Sequence, residues 1–292
     1  MKKLFLLLSF VTFFASAEPL KIVIAYPPGG ATDTAARILA KDLSTQGIET
    51  VVINQGGGAG RVALVNMLNQ KPDGNTILFT GSGNIIYKSA ENPEFYADMR
   101  RLTPVAKFAE IGYMIVVKKD SRMHSWHDLD QAVRSRLVNI GGSGTAITNF
   151  ISELWPNNSN VNIIPYNSDA DTMMGLLSTT VDVALVTNVY AARVESGELN
   201  ALALTNTHGQ FGVKSLRELG VPLECQTWNG VFAPPGTPTD IVQKLYTAIE
   251  RTKNNQEVRE ELKSAIHGVI PKRQTPEEFN RSIEVEYTAV RK

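Results

Sequence analysis

Short apolar runs alternate along this chain with stretches whose apolar positions recur every three to four residues, the pattern of strands alternating with amphipathic helices. It predicts strands over 22–25, 50–54 and 76–80, with helices over 34–46 and 61–70 between them. That is the rhythm of a parallel α/β sheet. The rhythm breaks at 105–118, where 103–110 and 113–117 read as two extended segments with no helix between them, a crossover between lobes. A second set follows, with strands over 137–140, 161–165 and 181–186 and helices over 148–155 and 170–178. After Cys225, residues 228–236 read as a return strand. Helices over 239–252 and 256–266 come next, then a last helix from Thr275, where Thr275 and Glu278 fit a capping box. The expected architecture is α/β in two lobes, with 18–119 and 226–292 forming the first and 120–225 the second. A ligand cleft is expected between them.

The first residues change the picture of where the chain works. Lys2 and Lys3, the apolar run 4–14 and Ala15-Ser16-Ala17 read as an export signal over 1–17, leaving Glu18 as the mature N-terminus. The apolar run is short of the roughly 20 residues a membrane span needs, so a soluble, periplasmic protein is expected. Removing Lys2 and Lys3 from 29 basic residues leaves 27 against 29 acidic ones, a balance that argues against nucleic-acid binding. The single cysteine, Cys225, cannot form an intramolecular disulfide and reads as a small buried hydrophobe.

Candidate chemistry gathers where strands end. Tyr26-Pro27-Pro28-Gly29-Gly30-Ala31-Thr32-Asp33 joins the first strand to the first helix. Gly29 and Gly30 are expected to bring backbone close to a ligand at positive φ, and Thr32 and Asp33 to cap the helix, whose first amides lack helical partners and suit an anion. Asp33 is expected to serve the helix more than the ligand, because a carboxylate repels a bound anion. Further glycine-rich loops lie at 54–60, at 80–84 with Ser82 and Gly83, and at 141–145 with Ser143, Gly144 and Thr145. In an open parallel sheet these strand ends border the binding crevice. Tyr166 and Thr187 end the neighbouring strands and complete the candidate ligand contacts, although a core position for the Tyr166 ring is the alternative.

Competing motifs are incomplete. Gly58-Ala59-Gly60-Arg61-Val62-Ala63 fits G-x-G-x-x-A, but the next strand ends at Thr80 without the acid a dinucleotide site requires. Gly141-Gly142-Ser143-Gly144-Thr145 resembles a nucleophile elbow whose last glycine is replaced by Thr145. His124 and His127 have metal-ligand spacing, yet Ser125 and Asp128 around them read as a helix start. No catalytic set, metal site or cofactor is expected.

Taken together, the 26–33 and 54–60 loops, Pro72-Asp73-Gly74-Asn75-Thr76-Ile77-Leu78, Pro165-Tyr166, the 197–203 segment and Phe232-Ala233-Pro234-Pro235-Gly236-Thr237-Pro238 resemble the Bug family. These are periplasmic solute-binding subunits of tripartite tricarboxylate transporters, and the resemblance covers essentially the whole mature chain. It implies a type II periplasmic binding protein fold and capture of a small organic anion, a di- or tricarboxylate or related acid. It also implies delivery to membrane permease subunits by a monomer that is not an enzyme. The ligand carboxylate would be held by amides, hydroxyls and bridging waters from the first-lobe loops, with the second lobe closing over it. Arg61, Gly57, Asn149 and Val186-Thr187 depart from the family pattern. The missing acid at 186–187 disfavours an amino-acid ligand, whose ammonium would lack an acceptor. A periplasmic ligand sensor and a nucleotide-using cleft enzyme are the rival readings.

Overall fold

The computed structural model describes residues 18–166, 168–206, 208–210 and 212–291. The expected export signal, 1–17, lies outside the described residues.

The first lobe is built on β1 (Leu20–Ile24), which lies parallel between β2 (Thr50–Asn54) and β3 (Thr76–Gly81). Helix α1 (Ala31–Thr45) connects β1 to β2, and α2 (Arg61–Leu68) connects β2 to β3. A π-helical turn (Gly83–Lys88) and two short helices, α3 (Ser89–Glu91) and α4 (Pro93–Met99), then lead to β4 (Thr103–Lys118). The alternating pattern did not mark these short helices.

The crossover expected as two extended segments is one strand of 16 residues. Its first part pairs antiparallel with β9 (Gln226–Ala233), which in turn pairs with β3. Register shifts between Pro104 and Ala106 and between Lys107 and Ala109 bend the strand. Its second part enters the other half of the sheet.

That half follows α5 (Trp126–Ser135) with β5 (Val138–Ser143), α6 (Gly144–Leu154), β6 (Val161–Tyr166), α7 (Asp169–Leu177), β7 (Val183–Thr187), α8 (Ala191–Glu195) and β8 (Leu199–Leu204). Strand β5 lies parallel between β6 and β7, and β4 is antiparallel to β7 and β8. After β9, helices α9 (Thr239–Asn254), α10 (Gln256–Ile266) and α11 (Pro276–Val290) return to the first lobe. The Thr275 and Glu278 box opens α11 as its sequence predicts.

Alternation along the strands places a core on each side of the sheet. Ile22 and Ile24 of β1 pack with Ala36, Leu39 and Leu43 of α1 and with Ile249 and Leu262 of α9 and α10. On the opposite side, Val23, Leu78 and Phe232 meet Leu64 and Met67 of α2 and Phe279 of α11. Each fully buried Leu, Ile or Phe contributes about 1.5–3 kcal/mol. In the second lobe, Ile140, Val183 and Leu185 pack on Leu129 of α5 and Ile151 of α6, while Val116 and Ala184 pack on Met173 and Leu176 of α7. Where the two halves of the sheet meet, a Cβ on Gly112 would lie 1.7 Å from Asn206 Oδ1, so this strand position has room only for glycine. The lobes touch across the cleft, where α6 packs on the Gly83–Lys88 turn and the Asn188–Tyr190 turn packs on α10.

Candidate functional site

The carboxyl ends of β1 and β3 form the first wall. Gly29 has φ +90°, as its turn requires, but Gly30 is extended at φ −86° and is itself the N-cap of α1. This corrects two expectations: only one of the glycine pair needs positive φ, and neither Thr32 nor Asp33 caps the helix. The buried carboxylate of Asp33, in the third helical position, accepts from the Gly29 amide at 2.9 Å, Arg37 Nε at 3.0 Å and Asn54 Nδ2 at 2.8 Å. Burial alone would raise its pKa. The Arg37, Gly29 and Asn54 donors outweigh that and hold the carboxyl below its usual range.

Asp33 therefore ties the turn to the helix and to β2 and leaves the start of α1 open. The first intrahelical bond runs from the Thr34 amide to the Gly30 carbonyl at 3.0 Å, so the amides of Ala31, Thr32 and Asp33 have no helical acceptor. Thr32 Oγ1 accepts from Asn229 Nδ2 at 3.1 Å, which brings β9 to the same point. Asn229 is buried, and its Oδ1 has no partner among the described residues.

The Tyr26 hydroxyl turns inward toward Thr80 and the Gly81 and Asn84 amides, and burial pushes its pKa up to about 12. The Ser82 hydroxyl is paired with Thr227 Oγ1 at 3.0 Å and accepts from the Trp228 amide at 3.3 Å, so it joins β3 to β9. Gly83 is exposed at the head of the π-helical turn. The neighbouring Gly60, in the G-x-G-x-x-A stretch, has φ +90°, and a Cβ there would lie 2.4 Å from Asn84 Nδ2. Packing thus accounts for that glycine.

The second wall lies at the ends of β5 and β7. Ser143 is the N-cap of α6, but its hydroxyl does not cap the helix. It donates to Asp169 Oδ1 at 2.5 Å, while Thr187 donates to Asp169 Oδ2 through its amide at 2.8 Å and its hydroxyl at 2.6 Å. Asp169 is the first residue of α7, which is capped by Ser168. Sequence reasoning missed it. The available signal was an acid opening a helix at the end of β6, beside the strands that carry Ser143 and Thr187. Positions 186–187 carry no acid, but Asp169 brings a carboxylate to Thr187 from the neighbouring helix, so an ammonium there would have an acceptor.

Gly144 and Thr145 open α6, and the Thr145 side chain lies outside what is described. Tyr166 is not brought to the Ser143–Thr187 contact. Its ring lies over Gly141, and a Cβ on Gly175 would sit 2.2 Å from its hydroxyl. Gly175 is six residues beyond Asp169, roughly 9 Å along α7. Tyr113, also unmarked by the sequence, sits opposite Thr187 in the β4–β7 register. Burial above all, with Cys225, Asp169, Tyr87 and Tyr26 nearby, drives its phenol well above the ordinary value. His124 and His127 belong to a helix start: Ser125 caps α5, and Asp128 accepts from the His124 amide at 2.9 Å.

A family model described as "Tripartite tricarboxylate transporter family receptor" matches residues 35–286. The chain is 30% identical over 266 residues to a "UPF0065 protein in tcbD-tcbE intergenic region" of Pseudomonas sp. (strain P51), covering 85% of this chain and 77% of that protein. It is 27% identical over 276 residues to BugT of Bordetella pertussis, covering 90% and 84%. Among solved structures, MatC from Rhodopseudomonas palustris with bound malate superposes with a TM-score of 0.77 at 23% identity, covering 94% of this chain and 97% of that one. Rpa4515 of R. palustris with adipate gives 0.81 at 24% identity, covering 93% and 94%. The fold is that of the two-lobed type II periplasmic binding proteins.

Proposed function

Because this chain belongs to the tripartite tricarboxylate transporter receptor family, we propose that it is an exported, monomeric solute-binding protein. It captures a small carboxylate between its lobes and presents it to membrane permease subunits, without catalysing a reaction. One observation carries the reading: α1 and α6, which begin on opposite walls, both lack a side-chain cap hydrogen bond. At α1 the cap is Gly30, and at α6 the Ser143 hydroxyl is drawn away to Asp169. Uncapped amides and the helix dipole favour an anion at such ends.

The proposed contacts are the turn and first amides of α1 at Gly29, Gly30, Ala31 and Thr32, the loop end at Gly83, and the opening of α6 at Ser143, Gly144 and Thr145, with Thr187 beside it. Four charge-assisted hydrogen bonds give roughly 6–12 kcal/mol gross, at about 1.5–3 kcal/mol each. A micromolar ligand needs about 8 kcal/mol net, so preorganised amides and exclusion of water must complete the affinity. The malate and adipate bound by the two structural relatives support the ligand class.

Thermal unfolding against a panel of small carboxylates tests the reading. A ligand at 100 times its dissociation constant adds about 2.7 kcal/mol of stability. A panel that leaves the transition unmoved would count against it.

A further inference from the structure

On the second wall the hydroxyl protons are already committed. Ser143 gives its proton to Asp169 Oδ1, and Thr187 gives its own to Oδ2. A hydroxyl has one proton and two lone pairs, and an ionised carboxylate only accepts. With their protons held by Asp169, the two hydroxyls can offer an incoming ligand only lone pairs. Ser143, Thr187 and Asp169 thus make an acceptor strip beside the start of α6, which has no side-chain cap. No lysine, arginine or histidine among the described residues forms an ion pair with Asp169. Its charge is felt locally, contributing to the raised phenol pKa of Tyr113 and of Tyr190, each shifted chiefly by burial.

Two further acceptors stand unused. Asn188, next to Thr187, is fully buried and gives its amide nitrogen to Asn206 Oδ1 at 3.3 Å, leaving its Oδ1 without a partner among the described residues. Asn229 is alike on the first wall, with its nitrogen on Thr32 and its Oδ1 unpaired. Buried acceptors without donors are costly. Both oxygens are buried, so the acceptors open to a ligand on the second wall are those of the strip.

We infer that the ligand is a carboxylate that also carries a hydrogen-bond donor, a hydroxyl or an ammonium, on its carbon chain, and that Asp169 is the residue that selects it. This rests on reading the cleft as a carboxylate site. The ligand carboxylate takes the amides, and its donor group takes the acceptor strip. A second bare carboxylate placed against the strip would meet the Asp169 charge. Ser143 and Thr187 could turn their protons toward it only by abandoning Asp169.

Calorimetric titration of the mature protein with two matched series tests this: propanoate, lactate and alanine, then succinate, malate and aspartate. Within each series only the substituent on the second carbon changes. The inference predicts that a substituted acid binds at least ten-fold tighter than its parent in one series or both, with the lactate and malate arms separating hydroxyl from ammonium recognition. Asp169→Asn, checked for folding by its melting profile, should reduce that preference at least five-fold. The wild-type comparison decides even if this variant does not fold. Parents that bind as tightly as their substituted partners, or a preference that survives Asp169→Asn, overturn the inference and leave the carboxylate site standing. Failure of all six acids to bind overturns both.

Discussion

The Ser143 hydroxyl donates to Asp169, 26 residues further along the chain, instead of capping the helix that Ser143 begins. The contrast with other helix starts is direct: Ser125, Ser168, Asn255 and Thr275 each accept a backbone amide at the head of their own helix. A side-chain cap satisfies one of the free amides at a helix start and is worth about 1 kcal/mol. At α6 the Ser143 side chain does not supply that stabilisation.

The two glycines of the first turn should respond differently to substitution. Gly30 has φ −86°, and a Cβ there meets nothing within 4 Å, whereas Gly29 has φ +90°. Gly30→Val is expected to cost no more than about 1 kcal/mol, as a poorer N-cap in an unstrained backbone, and to weaken ligand binding by crowding the open amides. Gly29→Val should cost about 1–2 kcal/mol through its left-handed backbone. Urea unfolding and calorimetry of both variants check the pair.

Asp33 should make stability depend on acid. Its carboxyl is held below the ordinary 3.8, so its contribution is complete above that pH and is lost as pH falls through the lower folded value. Asp33→Asn is expected to cost about 1.5–3 kcal/mol at pH 7 through the weakened bonds to Gly29 and Asn54. Arg37 is half-exposed and adds little. The gap between variant and parent should narrow as unfolding is measured at progressively lower pH below 3.8. A gap that stays constant would mean that Asp33 is not held ionised by this turn.

At the junction of the lobes, Gly112→Ala would drive its Cβ into Asn206. Overpacking of this kind costs about 1–3 kcal/mol. Combining it with Asn206→Ala should recover part of the loss, which a double-mutant cycle of denaturant unfolding measures.

Cys225 should be inert in the native state. Burial, helped by Glu153, pushes its thiol up to about 12 and leaves almost no thiolate at neutral pH. A thiol-reactive dye at pH 8 should label it only after unfolding. Rapid native labelling would show that this part of the second-lobe core opens.

Local signals carried much of the fold. Strand β2 and helix α10 keep the bounds their sequence predicts, because Thr50–Asn54 is flanked by polar breaks and Asn255 marks the start of α10 with a cap. Helix α1 starts earlier than its apolar period implies. Its cap is a glycine without a side chain, and Asp33 reaches back to the turn from inside the helix. Strand β4 was hidden by bulges that break its alternation.

In the candidate site, the strand-end loops were legible as glycine and hydroxyl clusters, whereas the second wall was not. What organises it is a carboxylate on α7 bonded to the ends of β5 and β7, a contact made by tertiary structure that leaves no local period. Tyr166 illustrates the same limit: its position at a strand end was visible, but the direction of its ring depends on Gly175 in the following helix.

A crystal structure of the mature protein with a carboxylate found by unfolding shifts tests the central claim most directly. The predicted result is a carboxylate group between the lobes, with its oxygens within about 2.7–3.2 Å of amides at the start of α1, and with the second wall at Ser143 and Thr187 closed over the ligand. A ligand bound outside the cleft, or held by one wall with the opening of α1 unoccupied, would contradict the account.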